Sequence, residues 1–160
     1  QTAMIYIIYG EANQGKTAKI KSIYTEQFKG DGFITEKILS NSFFCGYKLT
    51  RLSSGESETL SLKTEFFPLN DTPLYSKGSF SFFADGFNFA DSIIADIINN
   101  NISPVFIDEI GPLELAGKGY YDSFKKILKT DKTIYITVRT RCVENVISFF
   151  SLKKYALIRI

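Results

Sequence analysis

Met4 to Tyr9 is a continuous apolar run, β-branched or aromatic at every position after Met4, that stops at Gly10. Such a run predicts a strand buried on both faces of a parallel sheet. From Lys16 the apolar positions Ile20, Ile23, Tyr24 and Phe28 recur at helical spacing until Gly30-Asp31-Gly32 ends the pattern. Strand, Gly-containing turn and helix therefore follow in order. The texture then changes. Phe33 to Ile38 predicts a strand, and Gly46–Ser53 and Glu58–Phe66 flank Ser54-Gly55 as the arms of a hairpin. Leu60 and Leu62 alternate with polar neighbours there, the half-buried antiparallel pattern. Two prolines, Asn70 and Asp71 make 68–77 a loop, and Ser79 to Phe83 predicts one more short strand.

Phe89, Ala90, Ile93, Ile94, Ile97 and Ile98 mark a strongly amphipathic helix, which fades into Asn99-Asn100-Asn101 and is broken by Ser103-Pro104. Val105-Phe-Ile107 predicts a buried strand ending in Asp108-Glu109. Tyr121, Phe124, Ile127 and Leu128 outline a third helix, and Thr133 to Val138 another core strand. Val143, Val146, Ile147 and Phe150 give a fourth helix, and Tyr155 to Ile160 a last strand. This alternation predicts an α/β fold in three layers around a mostly parallel sheet, with an inserted antiparallel section at about residues 33–83. No linker divides the chain, so 1–160 reads as one domain. Phe80, Phe82, Phe83, Phe87 and Phe89 read mainly as core, with one exposed ring available to stack on a base.

Composition narrows the chemistry. The 160 residues hold 19 Lys+Arg, 17 Asp+Glu, two Cys and no His or Trp, for a formal charge of +2. Without His there is no Ser-His-Asp or Cys-His catalysis and no His-ligated zinc, so a general base must be a carboxylate, Lys, Tyr or Cys. Near-neutral charge gives no footprint for nucleic acid or anionic membrane. Cys45 and Cys142 stand far apart without companion ligands and read as buried small apolar residues in a reducing cytoplasm. No apolar run approaches the ~20 residues of a membrane span, and the opening residues lack the basic start of a signal peptide. The expectation is a soluble cytoplasmic protein without membrane association.

Gly10-Glu11-Ala12-Asn13-Gln14-Gly15-Lys16-Thr17 fits G-x-x-x-x-G-K-[ST] and lies between a buried strand and an amphipathic helix, where that pattern has a mechanism. Main-chain N–H groups at a helix N-terminus cradle phosphates, Lys16 reaches the terminal phosphates, and the Thr17 hydroxyl serves Mg²⁺. Residues 10–18, through Ala18, are the candidate nucleotide-binding segment. Asn13 reads as a turn former that tolerates positive φ, and Glu11 and Gln14 contribute main-chain donors. The Mg²⁺ needs a carboxylate from a second strand, which Asp108 supplies. Glu109 is placed to polarise an attacking water; the alternative is a plain loop carboxylate. Arg139 and Arg141 follow another core strand, from where a cation reaches a γ-phosphate; Arg139 is the catalytic candidate and Arg141 reads as a solvated loop residue. Lys48 and Arg51 read as surface charge.

These residues resemble a known family. Asp108-Glu-Ile-Gly-Pro-Leu-Glu-Leu115 is similar to the Walker B signature of the small P-loop nucleoside triphosphatases of the THEP type, found in thermophiles and in animals as a cancer-related NTPase. The Walker A loop, the Gly46-Tyr47 hairpin running to Gly55-Glu56, Lys77-Gly78-Ser-Phe80 and Val138-Arg139 support the resemblance, which spans most of the chain. It implies a RecA-like P-loop sheet and Mg²⁺-dependent hydrolysis of nucleoside triphosphates to diphosphates with broad base tolerance and slow turnover. Two positions depart from the family pattern: Asn13 stands for a usual Gly, and Ala18 where a second Thr commonly follows. Glu114 matches a family acid, either ordering the site from behind or simply favouring a helix start.

Three functions remain in competition at this point. The first is a hydrolase in which Lys16 binds phosphates, Thr17 and Asp108 hold Mg²⁺, and Glu109 activates water. The second is a nucleotide or nucleoside kinase, whose Arg-rich lid the chain does not display. The third is a nucleotide-controlled binding module with little turnover. The expected small-molecule partner in each is a nucleoside triphosphate, and no protein partner is specified.

Overall fold

A computed structural model describes residues 1–160. Its strands are β1 (Met4–Gly10), β2 (Asp31–Ser40), β3 (Phe43–Arg51), β4 (Ser57–Lys63), β5 (Tyr75–Lys77), β6 (Phe80–Phe82), β7 (Val105–Ile107), β8 (Thr133–Arg139) and β9 (Tyr155–Arg159). Its helices are α1 (Lys16–Gln27), α2 (Ala84–Asn99), α3 (Pro112–Leu115), α4 (Tyr121–Leu128) and α5 (Val143–Phe149). All nine strands form one sheet in the order β5-β6-β4-β3-β2-β7-β8-β1-β9.

The sheet changes character at β2. From β2 to β9 neighbouring strands are parallel, whereas β2, β3, β4, β6 and β5 pair antiparallel. Asp31 to Phe33 pair with β7, and Phe33 to Ser40 pair with β3, so one strand serves both halves. The inserted section thus extends the parallel sheet as a continuous arm, and the antiparallel share is as large as the parallel one.

Period-two alternation sorts the two faces. Ile5, Ile7, Val105, Ile107, Ile134, Ile136 and Val138 face α2, α4 and α5, where they join the main core with Ile93, Ile94, Ile97, Phe124, Ile127 and Val146. Ile8, Phe106 and Tyr135 point the other way and pack with Ile20 of α1. On that face the Tyr6, Tyr135 and Phe106 rings stack at 4.9 and 5.1 Å.

Several local readings change. Phe28 is outside the helical stripe: it caps α1 at φ 50° and is 89% exposed. Residues 64–66 leave the hairpin arm as a 3₁₀ turn, and the Pro-rich loop contains the short strand β5. Only Cys142 is buried; Cys45 is partly exposed on β3. Arg51 is not surface charge. Its Nε and Nη2 both lie 2.8 Å from Oδ2 of buried Asp31, and Nη1 lies 3.0 Å from Asp96. Ser53 also donates to Asp31 through its hydroxyl and its main chain, at 2.8 and 3.1 Å.

Candidate active site

The loop between β1 and α1 is shaped by Asn13 at φ 62° and Gly15 at φ 95°, both in the left-handed region. Asn is one of the few residues besides Gly that adopts it at small cost. The N–H groups of Gly15, Lys16, Thr17 and Ala18 have no main-chain acceptor, leaving the opening turn of α1 as a donor-rich, positive helix end. Lys16 is buried, and its Nζ donates to the carbonyl oxygens of Glu11 at 2.8 Å and Gly10 at 3.2 Å. Gln14 Oε1 accepts from the Glu11 N–H at 2.8 Å and braces the turn.

Asp108, at the end of β7, is the meeting point of three elements. Its Oδ2 accepts from the Thr17 hydroxyl at 2.6 Å and the Thr35 N–H at 3.1 Å, and its Oδ1 accepts from the Thr137 hydroxyl at 2.6 Å. The Thr35 hydroxyl donates to the Asp108 carbonyl at 2.8 Å. Burial pushes the Asp108 carboxyl above its ordinary range, against the three hydrogen bonds and Lys16, which favour the charged form. A buried carboxylate so placed gains from a cation.

Glu109 is half-buried. Burial raises its carboxyl, Arg139 opposes the rise, and Asp108 adds to it. Arg139 Nε lies 3.8 Å from Glu109 Oε1. Arg141 is exposed in the following 3₁₀ turn, where it too lines the cleft.

Glu114 lies in the one-turn helix α3, absent from the sequence pattern because four residues show no periodicity. Its Oε1 accepts from the Gly111 N–H at 2.8 Å and its Oε2 from the Tyr120 N–H at 2.9 Å, tying down both ends of the segment behind Glu109. Burial holds its carboxyl at about 7. Gly119, at φ 60°, leaves room for it; a β-carbon there would collide with Oε2.

One cleft of about 840 Å³ contains Ala12, Asn13, Gly15, Lys16, Thr17, Asp108, Glu109 and Arg139. Gly10, Glu11, Gln14 and Ala18 are not in its wall: Gly10, Glu11 and Gln14 shape the loop from behind, and Ala18 is exposed one residue further along α1. Thr35 and Thr137 carry no distinguishing signal in the sequence, since Thr in a strand reads as ordinary β-propensity.

The NTPase family model matches residues 5–159. The chain belongs to the NTPase family. A relative in this family, the nucleoside-triphosphatase THEP1 of Pyrococcus abyssi, is 25% identical over 148 residues, covering 88% of this chain and 77% of its own. The fold is that of solved NTPase structures. THEP1 from Aquifex aeolicus superposes with a TM-score of 0.75 at 24% identity, covering 98% of this chain and 89% of that one. A human cancer-related nucleoside triphosphatase gives 0.72 at 21%, covering 99% and 89%. The P-loop fold and the THEP-type resemblance of the sequence agree with these matches.

Proposed function

We propose that the chain hydrolyses nucleoside triphosphates to diphosphates and phosphate, with Mg²⁺ as cofactor and Glu109 as general base. The observation that carries this reading is the grip on Asp108, a buried carboxylate hydrogen-bonded to the hydroxyl of Thr17 beside Lys16, with Glu109 next in sequence.

The residues present fit Mg²⁺. Asp108 and Thr17 offer hard oxygen donors at one point, the chain has no cluster of three or more His, Cys, Asp or Glu that would form an all-protein cage, and Mg²⁺ is commonly held by one or two side chains plus phosphate oxygens and water. When bound, it supplies positive charge to the β- and γ-phosphate oxygens.

The protein's own groups do the rest. The free N–H groups at the start of α1 hold the phosphates, and Lys16 exchanges its bonds to the Gly10 and Glu11 carbonyls for phosphate oxygens. Glu109 accepts a proton from water as its oxygen attacks the γ-phosphorus and the β–γ bridging bond breaks toward the diphosphate. Its raised proton affinity suits that role. Arg139, beside Glu109, offsets the charge that develops on the γ-phosphoryl oxygens. Main-chain donors and Lys16 read phosphate rather than base, which supports broad base tolerance. No helix is long and apolar enough to cross a membrane, and two free thiols fit a reducing cytoplasm.

The test is phosphate release from ATP, GTP, CTP and UTP with and without Mg²⁺. Glu109→Gln should keep nucleotide affinity and lose turnover by about a hundredfold or more, while Lys16→Ala should lose affinity as well. Unchanged release from Glu109→Gln would remove the base from this scheme.

A further inference from the structure

The cleft does not end at Glu109. Strand order sets its axis: the phosphate loop leaves β1, the acids leave β7 two strands away, and beyond them come β2, β3, β4 and β6. The far compartment is walled by Tyr47, Leu60, Phe80, Phe82 and Phe87, with Lys37 and Lys77 also in its lining. The rings fall into two groups, Tyr47 and Phe80 at 5.6 Å and, deeper in the wall, Phe82–Phe87 at 5.9 Å with Phe87–Tyr120 at 5.5 Å. Ser61 also lines this part of the cleft, and its buried hydroxyl has no hydrogen-bond partner. Buried polar groups are rarely left so in a finished site.

The substrate's own base does not belong there. In-line displacement puts the attacking water opposite the β–γ bridge. A γ-phosphate beside Glu109 therefore turns its water side toward β2 and the arm, and the nucleoside, joined to the α-phosphate, leaves in the other direction. That orientation rests on the function proposed above.

We propose that this far compartment is a second ligand site, for a nucleoside monophosphate seated on the water side of the γ-phosphate. The chemistry matches in two parts. Aromatic faces accept a planar base, a contact that tolerates any base identity, and Lys37, Lys77 and Arg139 supply charge for one phosphate. Glu36, also in the lining, has its charge met by Lys21 at 3.7 Å. An occupant here takes the space through which water reaches the γ-phosphate, so it slows hydrolysis without competing for the phosphate loop.

The experiment measures binding of AMP, GMP, CMP and UMP by equilibrium dialysis to protein saturated with Mg²⁺ and a non-hydrolysable triphosphate, alongside their effect on phosphate release. Binding should persist with the triphosphate site filled and weaken about tenfold or more in Phe80→Ala. Lys77→Ala, an exposed residue on the edge strand, should weaken it without disturbing the fold, and Phe80→Leu should keep the apolar bulk while losing the stacking face. The monophosphate should lower turnover and leave KM for the triphosphate unchanged, and all three variants should relieve this. Monophosphate binding abolished by the triphosphate analogue, or indifferent to all three variants, overturns the site. Conversion of the monophosphate to a diphosphate overturns the blocking role. The dialysis arm reads out even if no hydrolysis is found, so failure of the hydrolase reading is distinguishable from failure of this one.

Discussion

Glu114 makes the stability of the fold depend on pH in a direction opposite to that of a salt-bridged carboxylate. Its carboxyl is held at about 7 against an ordinary value of 4.5. Below 4.5 it is protonated whether the chain is folded or not, and above 7 it is ionised in both states. Between those limits the folded chain keeps a proton that the unfolded chain has released, so stability falls as pH rises through this window. At about 1.4 kcal/mol for each tenfold change in proton affinity, the full loss is about 3 kcal/mol, or roughly 10 °C in Tm at ~2–4 °C per kcal/mol for a chain of this size. Burial also raises Asp108 and Glu109 in the same direction, so the quantity to measure is a difference between two proteins. Urea unfolding of the wild type and Glu114→Gln at pH 5 and pH 8, without nucleotide, gives it. The variant loses one acceptor and should be less stable at pH 5, but its loss between the two pH values should be about 2.5 kcal/mol smaller, because pH 5 already lies above the unfolded value. Equal losses in both proteins would show that Glu114 titrates where an ordinary carboxylate does, and the argument from burial would fail.

Thr137→Val removes the hydroxyl that donates to Asp108 Oδ1 while keeping the shape of a buried β-branched residue; the Mg²⁺ concentration for half-maximal phosphate release should rise about tenfold or more, and an unchanged midpoint would show that this bond does not position the carboxylate. Arg51→Ala leaves the buried Asp31 carboxylate without its guanidinium and should cost about 3–5 kcal/mol in urea unfolding; a loss within ±0.5 kcal/mol, the ordinary surface range, would refute the ion pair as a structural tie. Gly119→Ala puts a β-carbon into Glu114 Oε2 at a backbone angle that L-residues disfavour; it should lower stability by more than about 1 kcal/mol, and circular dichroism melts that superpose on the wild type would contradict the clash.

The parts of the molecule that were legible in the chain are those whose signal is local. β1, the phosphate loop and α1 are adjacent in sequence, and the Gly-Lys-Thr spacing fixes their order. Asp108-Glu109 was legible because two acids ending an apolar strand are costly without a purpose. The residues that grip Asp108 were not legible, because Thr35 and Thr137 acquire meaning only when β2 and β8 flank β7. Arg51 misled for a similar reason: its partners Asp31 and Asp96 lie on other elements, and a charged residue in an alternating strand reads as solvent-facing. β5 is three residues long and depends on pairing with β6, so composition around Pro73 hid it. Phe28 kept the helical period but fell one residue past the end of α1, where the chain turns into the left-handed region.

The position of β1 in the sheet also sets when the phosphate loop can form. Met4 meets Thr133 on one side and Ile5 meets Tyr155 on the other, whereas β2, β3 and β4 find their neighbours within a short stretch of chain. Contacts between distant residues form slowly because loop-closure entropy must be overcome first. On a ribosome, the antiparallel arm has all its strands long before β1 has any. Of these nine strands β1 is made before the others and enclosed after them, and nucleotide binding reports the end of folding of this sheet, not its beginning.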